Sequence, residues 1–410
     1  WLQEQDLKPV PEFSKTQVNY TEVKKYKHNL FYKAWQNFEK MQGAQSEAYR
    51  VFINKHRYWL SDYCLFMALK NHFQDQPWYK WPDDIAWHRP EAVKHYRNQL
   101  QSEINYHRFL QFIFFTQWQR LKKYAYKKNI KIMGDVPIFV AHNSSDVWVN
   151  TDLFKLNKDG TPGKIAGVPP DEFSETGQMW GNPVYKWDQM AANNYEWWQQ
   201  RFKTIADMVD LVRLDHFRGF VAYWEIPAAA KTAAEGSWVD GPGCDFFDTI
   251  TDNLDDLSLV AEDLGQITQK VRKLKARYGF PGMEILQFLI DPDETFRLPC
   301  CKYRNFLYTG THDNKTLWQW YVEYHRKQNH PEKLEKDRFQ VCWKFIEMAY
   351  QSQAQKVMIP LQDLMALGKD ARMNVPGTVD GNWNWRFDWS QLTDDIKNRL
   401  KKLIASYQRS

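Results

Sequence analysis

The chain has 410 residues, 43% of them hydrophobic and 26% charged, a composition that fits a large globular protein and excludes a disordered or fibrous one. Its 55 basic and 50 acidic residues differ by +5, and the basic clusters fall in helix-like segments, which favours a solvated face over a nucleic-acid surface. No apolar run approaches the roughly 18 residues that cross a bilayer, so no membrane is expected as a partner. The charge pattern likewise gives no reason to expect a nucleic acid as a partner.

The first 130 residues predict helices. Apolar residues recur at three- and four-residue spacing over 22–40, 60–72 and 91–126, and Pro90 suits the start of a helix because its missing N–H has no partner to lose there. No strand-like run interrupts this block. We therefore expect a helical subdomain over residues 1–129.

From residue 130 onward, short apolar runs alternate with helical stretches, and each run ends in polar or charged residues. The runs are Ile130–Val136, Asp210–His216, Leu257–Asp263, Met283–Phe288, Phe306–Asp313 and Lys356–Asp363. Such alternation indicates parallel β/α units, because parallel strands need a crossover and are buried on both faces. We expect an α/β fold, a TIM (β/α)8 barrel over residues 130–410, with long loops at the rim where the strands end.

The strand count leaves this barrel incomplete. Six strand-like runs are present and a closed barrel needs eight. We therefore expect strands 3 to 8 in this chain, strands 1 and 2 to be missing from it, and the helical block to be an insertion before the third strand. A six-stranded doubly wound sheet is the alternative.

Three carboxylates stand where apolar runs stop. They are Asp215, Glu262 and Asp313, and two of them adjoin a histidine, His216 and His312. Acidic residues also cap the helices that follow strands, which is the structural alternative. Because parallel strands end at a common rim, we expect the three to form one catalytic constellation.

The neighbours of two of these carboxylates suggest different protonation states. Arg213 lies two residues before Asp215, on the same strand face, and would lower the pKa of that carboxyl, which suits a nucleophile. Glu262 follows three apolar residues, and a less polar setting would raise its pKa, as a general acid requires. Such a pair is the apparatus of a retaining glycosidic reaction.

Aromatic residues make up 16% of the chain and are concentrated partly in glycine- and proline-rich segments. The segment from Gly160 to Trp187 carries Asp171, Trp180 and Asn182, which could bind a sugar by stacking and hydrogen bonds. At this density of glycine and proline, we expect a rim loop without a long helix or strand. A loop with a merely structural role, and an aromatic content that only fills the core, are the alternatives.

The remaining motifs point away from cofactors. The five cysteines fit neither a disulfide framework nor a zinc site, which suggests a reducing, cytoplasmic setting. His142, His216 and His312 are too scattered for a zinc motif, and no phosphate-binding glycine loop occurs. We therefore expect no metal and no organic cofactor.

Several segments together resemble the 4-α-glucanotransferases known as amylomaltases or disproportionating enzymes, which are related to the α-amylases. The matching segments occur in the family's order: Gly167–Pro183, Val212–Gly219, Ala261–Gly265, Thr309–Asn314, and Asn374–Thr378 with Gly381–Trp383. The resemblance covers the chain from about residue 20 to its end.

This resemblance implies that Asp215 is the nucleophile, Glu262 the acid/base, and Asp313 a residue that holds sugar hydroxyls and distorts the ring. It also implies contacts with substrate for Arg213, His216, His312, Asp171, Trp180, Asn182, Phe288 and Asn382. The expected partners are α-1,4-glucans and maltooligosaccharides, with glucose as an acceptor. A retaining α-glucan hydrolase and a non-catalytic glucan-binding protein are the alternatives.

Overall fold

The computed structural model describes residues 1–171, 174–251, 258–290 and 304–409. Three residues of the segments discussed above lie outside these ranges: Glu172 and Phe173 in the segment Gly160–Trp187, and Leu257 in the run Leu257–Asp263. Contacts divide the chain into two compact units. The first unit comprises Trp1–Pro9, Lys27–Glu262 and Gln266–Gly279, and the second comprises Val10–Tyr26, Asp263–Gly265 and Phe280–Ser410.

Helices dominate the start of the chain and return between the strands. The helices are α1 (Tyr20–Lys40), α2 (Glu47–His72), α3 (Asp83–Ala86), α4 (Pro90–Gln99), α5 (Gln101–Lys127), α6 (Ser145–Val149), α7 (Trp187–Ala192), α8 (Glu196–Met208), α9 (Gly243–Thr251), α10 (Gln269–Arg277), α11 (Leu286–Leu289), α12 (Leu317–Lys327), α13 (Arg338–Gln351), α14 (Leu361–Leu364) and α15 (Asp394–Ser406). Among the described residues, no helix is long and apolar enough to cross a membrane.

The strands are short. They are β1 (Met133–Val136), β2 (Lys164–Val168), β3 (Gln178–Pro183), β4 (Leu211–Leu214), β5 (Ala222–Pro227), β6 (Ser237–Asp240), β7 (Ser258–Ala261), β8 (Met283–Ile285), β9 (Phe306–Tyr308) and β10 (Lys356–Met358).

The helical block is built around aromatic contacts between α1, α2 and α5. The Phe38 ring packs 4.8 Å from Phe109 and 5.2 Å from Tyr49, centroid to centroid. Ser46 caps α2 by accepting the Tyr49 N–H, and Pro90 begins α4 as predicted. The predicted helix over 91–126 is divided at Leu100, whose backbone leaves the helical region.

The first unit contains a parallel sheet in the order β1-β4-β7. Its register pairs Val136 with Leu214, and Leu214 with Ala261, at the carboxyl ends of the three strands. Leu214 and Ala261 are fully or almost fully buried, as expected for strands covered on both faces. The carboxyl ends therefore lie level, and the residues that follow β4 and β7 are neighbours.

The second unit contains a second parallel sheet in the order β10-β9-β8, with Phe306 paired to both Met283 and Lys356. All six predicted strand runs thus contain a parallel strand. The predicted division after residue 129 differs from the two compact units, since the helical block and the β1-β4-β7 sheet fall mostly in the same one. The helical insertion stays a prediction.

A four-stranded antiparallel sheet in the order β3-β2-β5-β6 was not expected from the sequence. Two of its strands, β2 and β3, lie within the segment 160–187 that was predicted as a loop. Gly167 explains how this segment forms a sheet, because a Cβ there would lie 2.1 Å from the Gln178 carbonyl oxygen. Glycine thus permits a close backbone approach here and does not interrupt the strand.

Candidate active site

The ends of β4 and β7 place two carboxylates side by side in the first unit. The Asp215 N–H donates to the Val136 carbonyl at 3.1 Å, and the Glu262 N–H donates to the Leu214 carbonyl at 3.0 Å. Each residue thus continues the parallel hydrogen-bond ladder by one position beyond its strand. The hydrogen bonds between the strands therefore fix the backbone positions of Asp215 and Glu262.

Arg213 joins Asp215 to a third carboxylate. Its Nε and Nη2 donate to the two carboxylate oxygens of Asp135 at 2.9 and 2.5 Å, and Nη2 also donates to Asp215 Oδ1 at 3.3 Å. Burial would lower the pKa of Arg213, but the hydrogen bonds and charge of Asp135, with the charges of Asp215 and Glu262, raise it above its ordinary value. A permanent cation therefore lies beside the carboxylate predicted to be the nucleophile.

Asp135 is a site residue that the sequence analysis missed. It stands opposite Arg213 in the register of β1 and β4, so both side chains leave the same face of the sheet. Its signal in the sequence was a charged residue inside the apolar run Ile130–Val136. That signal has meaning only when the pairing register is known.

Glu262 accepts a hydrogen bond from the backbone N–H of His216, at 2.9 Å to Oε2. The strand behind Glu262 is apolar as expected, but this donor stabilises negative charge on the carboxylate, which the sequence did not reveal. The His216 backbone adopts φ 49°, in the left-handed region, which helps to direct its N–H at Glu262.

The His216 side chain is a neutral group in this cluster. Burial, with a smaller effect from the Arg218 charge, lowers its pKa to about 4. Its Nε2 is buried and makes no hydrogen bond to any described residue. Its ring meets the Trp180 ring edge-on at 5.0 Å. The His216 imidazole is therefore uncharged, and it packs against the ring of Trp180.

The β2–β3 hairpin positions the predicted sugar-binding residues of the glycine-rich segment. Trp180 lies on β3 with 37% of its surface exposed. Asn182 donates its side-chain N–H to the Val140 carbonyl at 2.9 Å, which ties β3 to the segment after β1. Asp171 is exposed and accepts the Ser174 N–H at 2.9 Å. Trp180 contacts the His216 ring.

A second cluster surrounds Asp313 in the second unit. Asn374 donates to Asp313 Oδ1 at 2.5 Å, and His312 Nε2 lies 3.3 Å from Oδ2. Arg372 bridges the same residues by donating to the backbone carbonyls of Asp313 and Asn374. The His312 ring packs 5.1 Å from the Trp383 ring. Asn374 and Arg372 were not predicted as site residues, although Asn374 opens one of the family-like segments.

Two further predicted residues also lie in the second unit. Asn382 accepts the Val375 N–H and donates to the carbonyl and hydroxyl oxygens of Thr378, so its amide closes the loop over 375–382. Phe288 lies on α11 with 58% of its surface exposed.

A cavity of about 640 Å³ in the first unit opens beside the β1-β4-β7 sheet. It is lined by residues of α2, α6 and α8 and by Asp135, and its lining includes neither Asp215 nor Glu262. The volume would hold a ligand of ordinary size, but the groups suited to bond-making lie outside it. We therefore expect the chemistry at the strand ends and not in this cavity.

A family model described as 4-alpha-glucanotransferase matches residues 1–393. The 4-alpha-glucanotransferase of Synechocystis sp. is 42% identical over 98% of this chain and 82% of its own length. The enzymes of the same name from Clostridium butyricum and Thermus thermophilus are 40% and 39% identical, and each alignment covers 97% of this chain and 82% of the relative.

Solved structures give the same result. The amylomaltase from Streptococcus agalactiae in complex with acarbose aligns with a TM-score of 0.92 and 35% identity over 99% of this chain and 83% of that chain. The amylomaltase from Corynebacterium glutamicum, at 16% identity and a TM-score of 0.73, shares the fold over 95% of this chain and 60% of its own. The predicted α/β fold of the TIM-barrel type is confirmed, while the absence of its first two strands stays a prediction.

Proposed function

Because this chain belongs to the 4-alpha-glucanotransferase family, we propose that Asp215 and Glu262 carry out glucan transfer by a retaining double displacement. The enzyme transfers segments of α-1,4-glucan between maltooligosaccharides. Glucose is proposed as the smallest acceptor, and the cytoplasm as the place of action.

In the first half-reaction, an Asp215 carboxylate oxygen attacks the anomeric carbon of the donor. The bond from that carbon to the leaving glycosidic oxygen breaks, and Glu262 gives its proton to that oxygen. In the second half-reaction, the 4-hydroxyl of an acceptor glucan loses its proton to Glu262 and attacks the same carbon. The bond to Asp215 breaks, and an α-1,4 link forms again.

One observation carries this proposal: Asp215 and Glu262 directly follow Leu214 and Ala261, which are paired in adjacent parallel strands. Asp215 has the Arg213 guanidinium 3.3 Å from its Oδ1, so it is suited to remain an anion until it attacks. Glu262 directly follows β7, the strand next to β4, and is proposed to hold the proton. Two carboxylates with unlike neighbours can thus divide the acid and nucleophile roles.

The proposed sugar contacts fall into two groups. Arg213, His216 and Trp180 would hold the sugar at the strand ends of the first unit. In the second unit, Asp313 and His312 are proposed to bind sugar hydroxyls, with the Asp313 carboxylate held by Asn374. Residues that would shape or extend the binding segments are Asp171, Asn182, Phe288 and Asn382.

The test is a chromatographic product profile from maltotriose. Transfer yields glucose together with maltopentaose and longer chains, whereas hydrolysis yields glucose and maltose alone. A profile without any longer chain at any time point would replace the transferase proposal by the hydrolase. The absence of any product would favour the glucan-binding protein.

Two variants and a matched control test the roles of the carboxylates. Asp215→Asn and Glu262→Gln should each lower kcat by at least about 10³-fold, because each removes a group that changes its bonding in the transition state. Asp210→Asn makes the same chemical change at the opposite end of β4, where Asp210 accepts the Ile132 N–H. It should leave the product profile intact, and equal losses in all three variants would contradict the assignment.

A further inference from the structure

Gln287 is a buried amide in the second unit that the proposed reaction does not use. It lies on α11, two residues beyond the end of β8, and 8% of its surface is exposed. Its Nε2 donates to the Thr309 carbonyl at 3.1 Å and to the Lys315 carbonyl at 2.8 Å. A primary amide nitrogen carries two N–H groups, so both donors of Gln287 are used on the backbone of one segment.

That segment, residues 309–315, begins directly after β9 and carries His312 and Asp313; it is called the Asp313 loop below. Its first and last carbonyls accept from the same nitrogen, so Gln287 ties the two ends of the loop together. Thr309 is fully buried, whereas the side chains of His312 and Asp313 are 33% and 43% exposed. The loop is thus fastened at its ends and partly exposed where it carries the side chains proposed to bind sugar.

Gly310 shows how closely Gln287 approaches this loop. A Cβ at Gly310 would lie 2.9 Å from Gln287 Nε2, closer than a real Cβ comes to another heavy atom. A larger residue at this position would therefore push the amide away from the Thr309 and Lys315 carbonyls. The absence of a side chain at Gly310 lets one amide reach both carbonyls.

Other hydrogen bonds give the loop its internal shape. Asn314 Oδ1 accepts the Thr311 N–H and the Thr311 hydroxyl, both at 2.8 Å, and Thr311 Oγ1 accepts the Asp313 N–H at 3.3 Å. These bonds join residues of the loop to one another and do not attach it to the strands. The attachment comes from Gln287 and from Asp363, whose carboxylate accepts the Thr309 hydroxyl at 2.7 Å.

We propose that Gln287 is a positioning residue for Asp313. It acts through the backbone of the Asp313 loop, which sets where the Asp313 carboxylate stands against the bound sugar. Supporting hydrogen bonds of this kind hold reacting groups within roughly 0.5 Å of the productive geometry, and a displacement of about 1 Å costs about 100-fold in rate. The inference rests on the proposed role of Asp313 in glucan transfer.

Two variants remove the donors. Gln287→Met keeps an unbranched side chain of similar size without an N–H, and Gln287→Glu keeps the shape but sets a carboxylate against the two carbonyls. With maltotriose as substrate, we expect kcat to fall about 10-fold for Gln287→Met and about 100-fold for Gln287→Glu, with KM changed less than about 3-fold. The effect falls on kcat because distortion of the sugar ring by Asp313 is an interaction of the transition state. An unchanged kcat, or a rise in KM alone, would overturn the proposal.

Gln351→Glu is the matched control. It makes the same chemical change on α13 of the same unit, where Gln351 Nε2 donates to the Tyr407 hydroxyl at 2.7 Å. Its kcat should stay within about 2-fold of the wild type. Circular dichroism and urea unfolding check that each variant is folded, and Gln287→Met carries the test if Gln287→Glu is not. A kcat loss that only matches the unfolded fraction, or equal losses for the two glutamate variants, would refute a positioning role.

A double-mutant cycle tests whether the effect passes through Asp313. Gln287→Met should lower kcat about 10-fold in the wild type but less than about 2-fold in Asp313→Asn, because the group that it displaces is then already lost. Equal fold-losses in both backgrounds would contradict the proposal. A wild type that forms no chain longer than maltotriose would contradict the transferase proposal as well, whereas equal transfer by the wild type and Gln287→Met would overturn this inference alone.

Discussion

Arg213 and Asp135 face each other across β4 and β1 and are joined by two parallel hydrogen bonds of 2.9 and 2.5 Å. The same guanidinium reaches Asp215 Oδ1. Asp135 thus holds the cation that contacts Asp215, the proposed nucleophile. A bidentate pair fixes the guanidinium plane, which a single contact would not do.

This relationship predicts the behaviour of Asp135→Asn. An amide can accept only one of the two Arg213 donors, so the guanidinium loses its fixed orientation and Asp215 is less well placed. We expect kcat to fall about 10- to 100-fold with little change in KM, since small misplacement of a reacting group costs about that much. Steady-state kinetics with maltotriose measures this split. A rise in KM at constant kcat would indicate a binding role for Asp135 instead of a positioning one.

Trp180 gives a prediction about binding. Its exposed ring meets His216 edge-on, so loss of the ring removes a stacking surface and leaves the carboxylates in place. We expect Trp180→Ala to raise KM for maltooligosaccharides about 10-fold, and Trp180→Phe to raise it less, because the smaller ring keeps part of the contact. Identical kinetics for the wild type and both variants would exclude Trp180 from the substrate site.

His107 predicts a loss of stability in mild acid. Burial lowers its pKa to about 4 in the helical block, and only 7% of its surface is exposed. An unfolded histidine titrates near 6.5, so its contribution is fully present above that pH and is lost as the pH falls toward 4. The free energy of unfolding should fall by about 2 kcal/mol between pH 7.5 and 5 relative to that of His107→Leu.

Urea unfolding of the two proteins at both pH values measures this difference. His107→Leu keeps an apolar side chain of similar volume, so the other titrating groups cancel in the comparison. A difference that is independent of pH would show that His107 takes up its proton over the same pH range in the folded and unfolded states, and would contradict the prediction.

Asp363 predicts the opposite pH dependence. It is almost fully buried, accepts the Thr309 hydroxyl at 2.7 Å and the Leu317 N–H at 2.8 Å, and burial raises its pKa to about 6. Because folding raises the pKa of Asp363, its carboxyl stabilises the folded state most at a pH below its unfolded pKa. That stabilisation is lost as the pH rises through 6. Relative to Asp363→Asn, the wild type should therefore gain about 2–3 kcal/mol between pH 7 and pH 4.

Asp363→Ala provides the structural counterpart. It leaves the Thr309 hydroxyl and the Leu317 N–H without their acceptor, so it should lower the free energy of unfolding by roughly 2–5 kcal/mol at pH 7. Chemical unfolding measures both variants. If alanine were tolerated as well as asparagine, Asp363 would have no role in holding the start of α12.

The sequence by itself determined the elements that depend on local patterns. Apolar runs ending in polar residues located all six parallel strands, and three- and four-residue spacing located the helical block. It also placed Asp215 and Glu262 directly after strand ends, because the change from apolar to polar residues marks where a buried strand leaves the core. Asp313 lies five residues beyond Tyr308, the last residue of β9.

Only the tertiary structure decided the relationships between distant residues. The partnership of Asp135 with Arg213 depends on the register of two strands that lie 78 residues apart, and the β2–β3 hairpin depends on a backbone approach that Gly167 permits. Burial lowers the pKa of the His216 imidazole, and burial follows from packing and not from neighbours in the chain. Local propensity is encoded over a few residues, whereas register, burial and charge pairing arise only when separate elements meet.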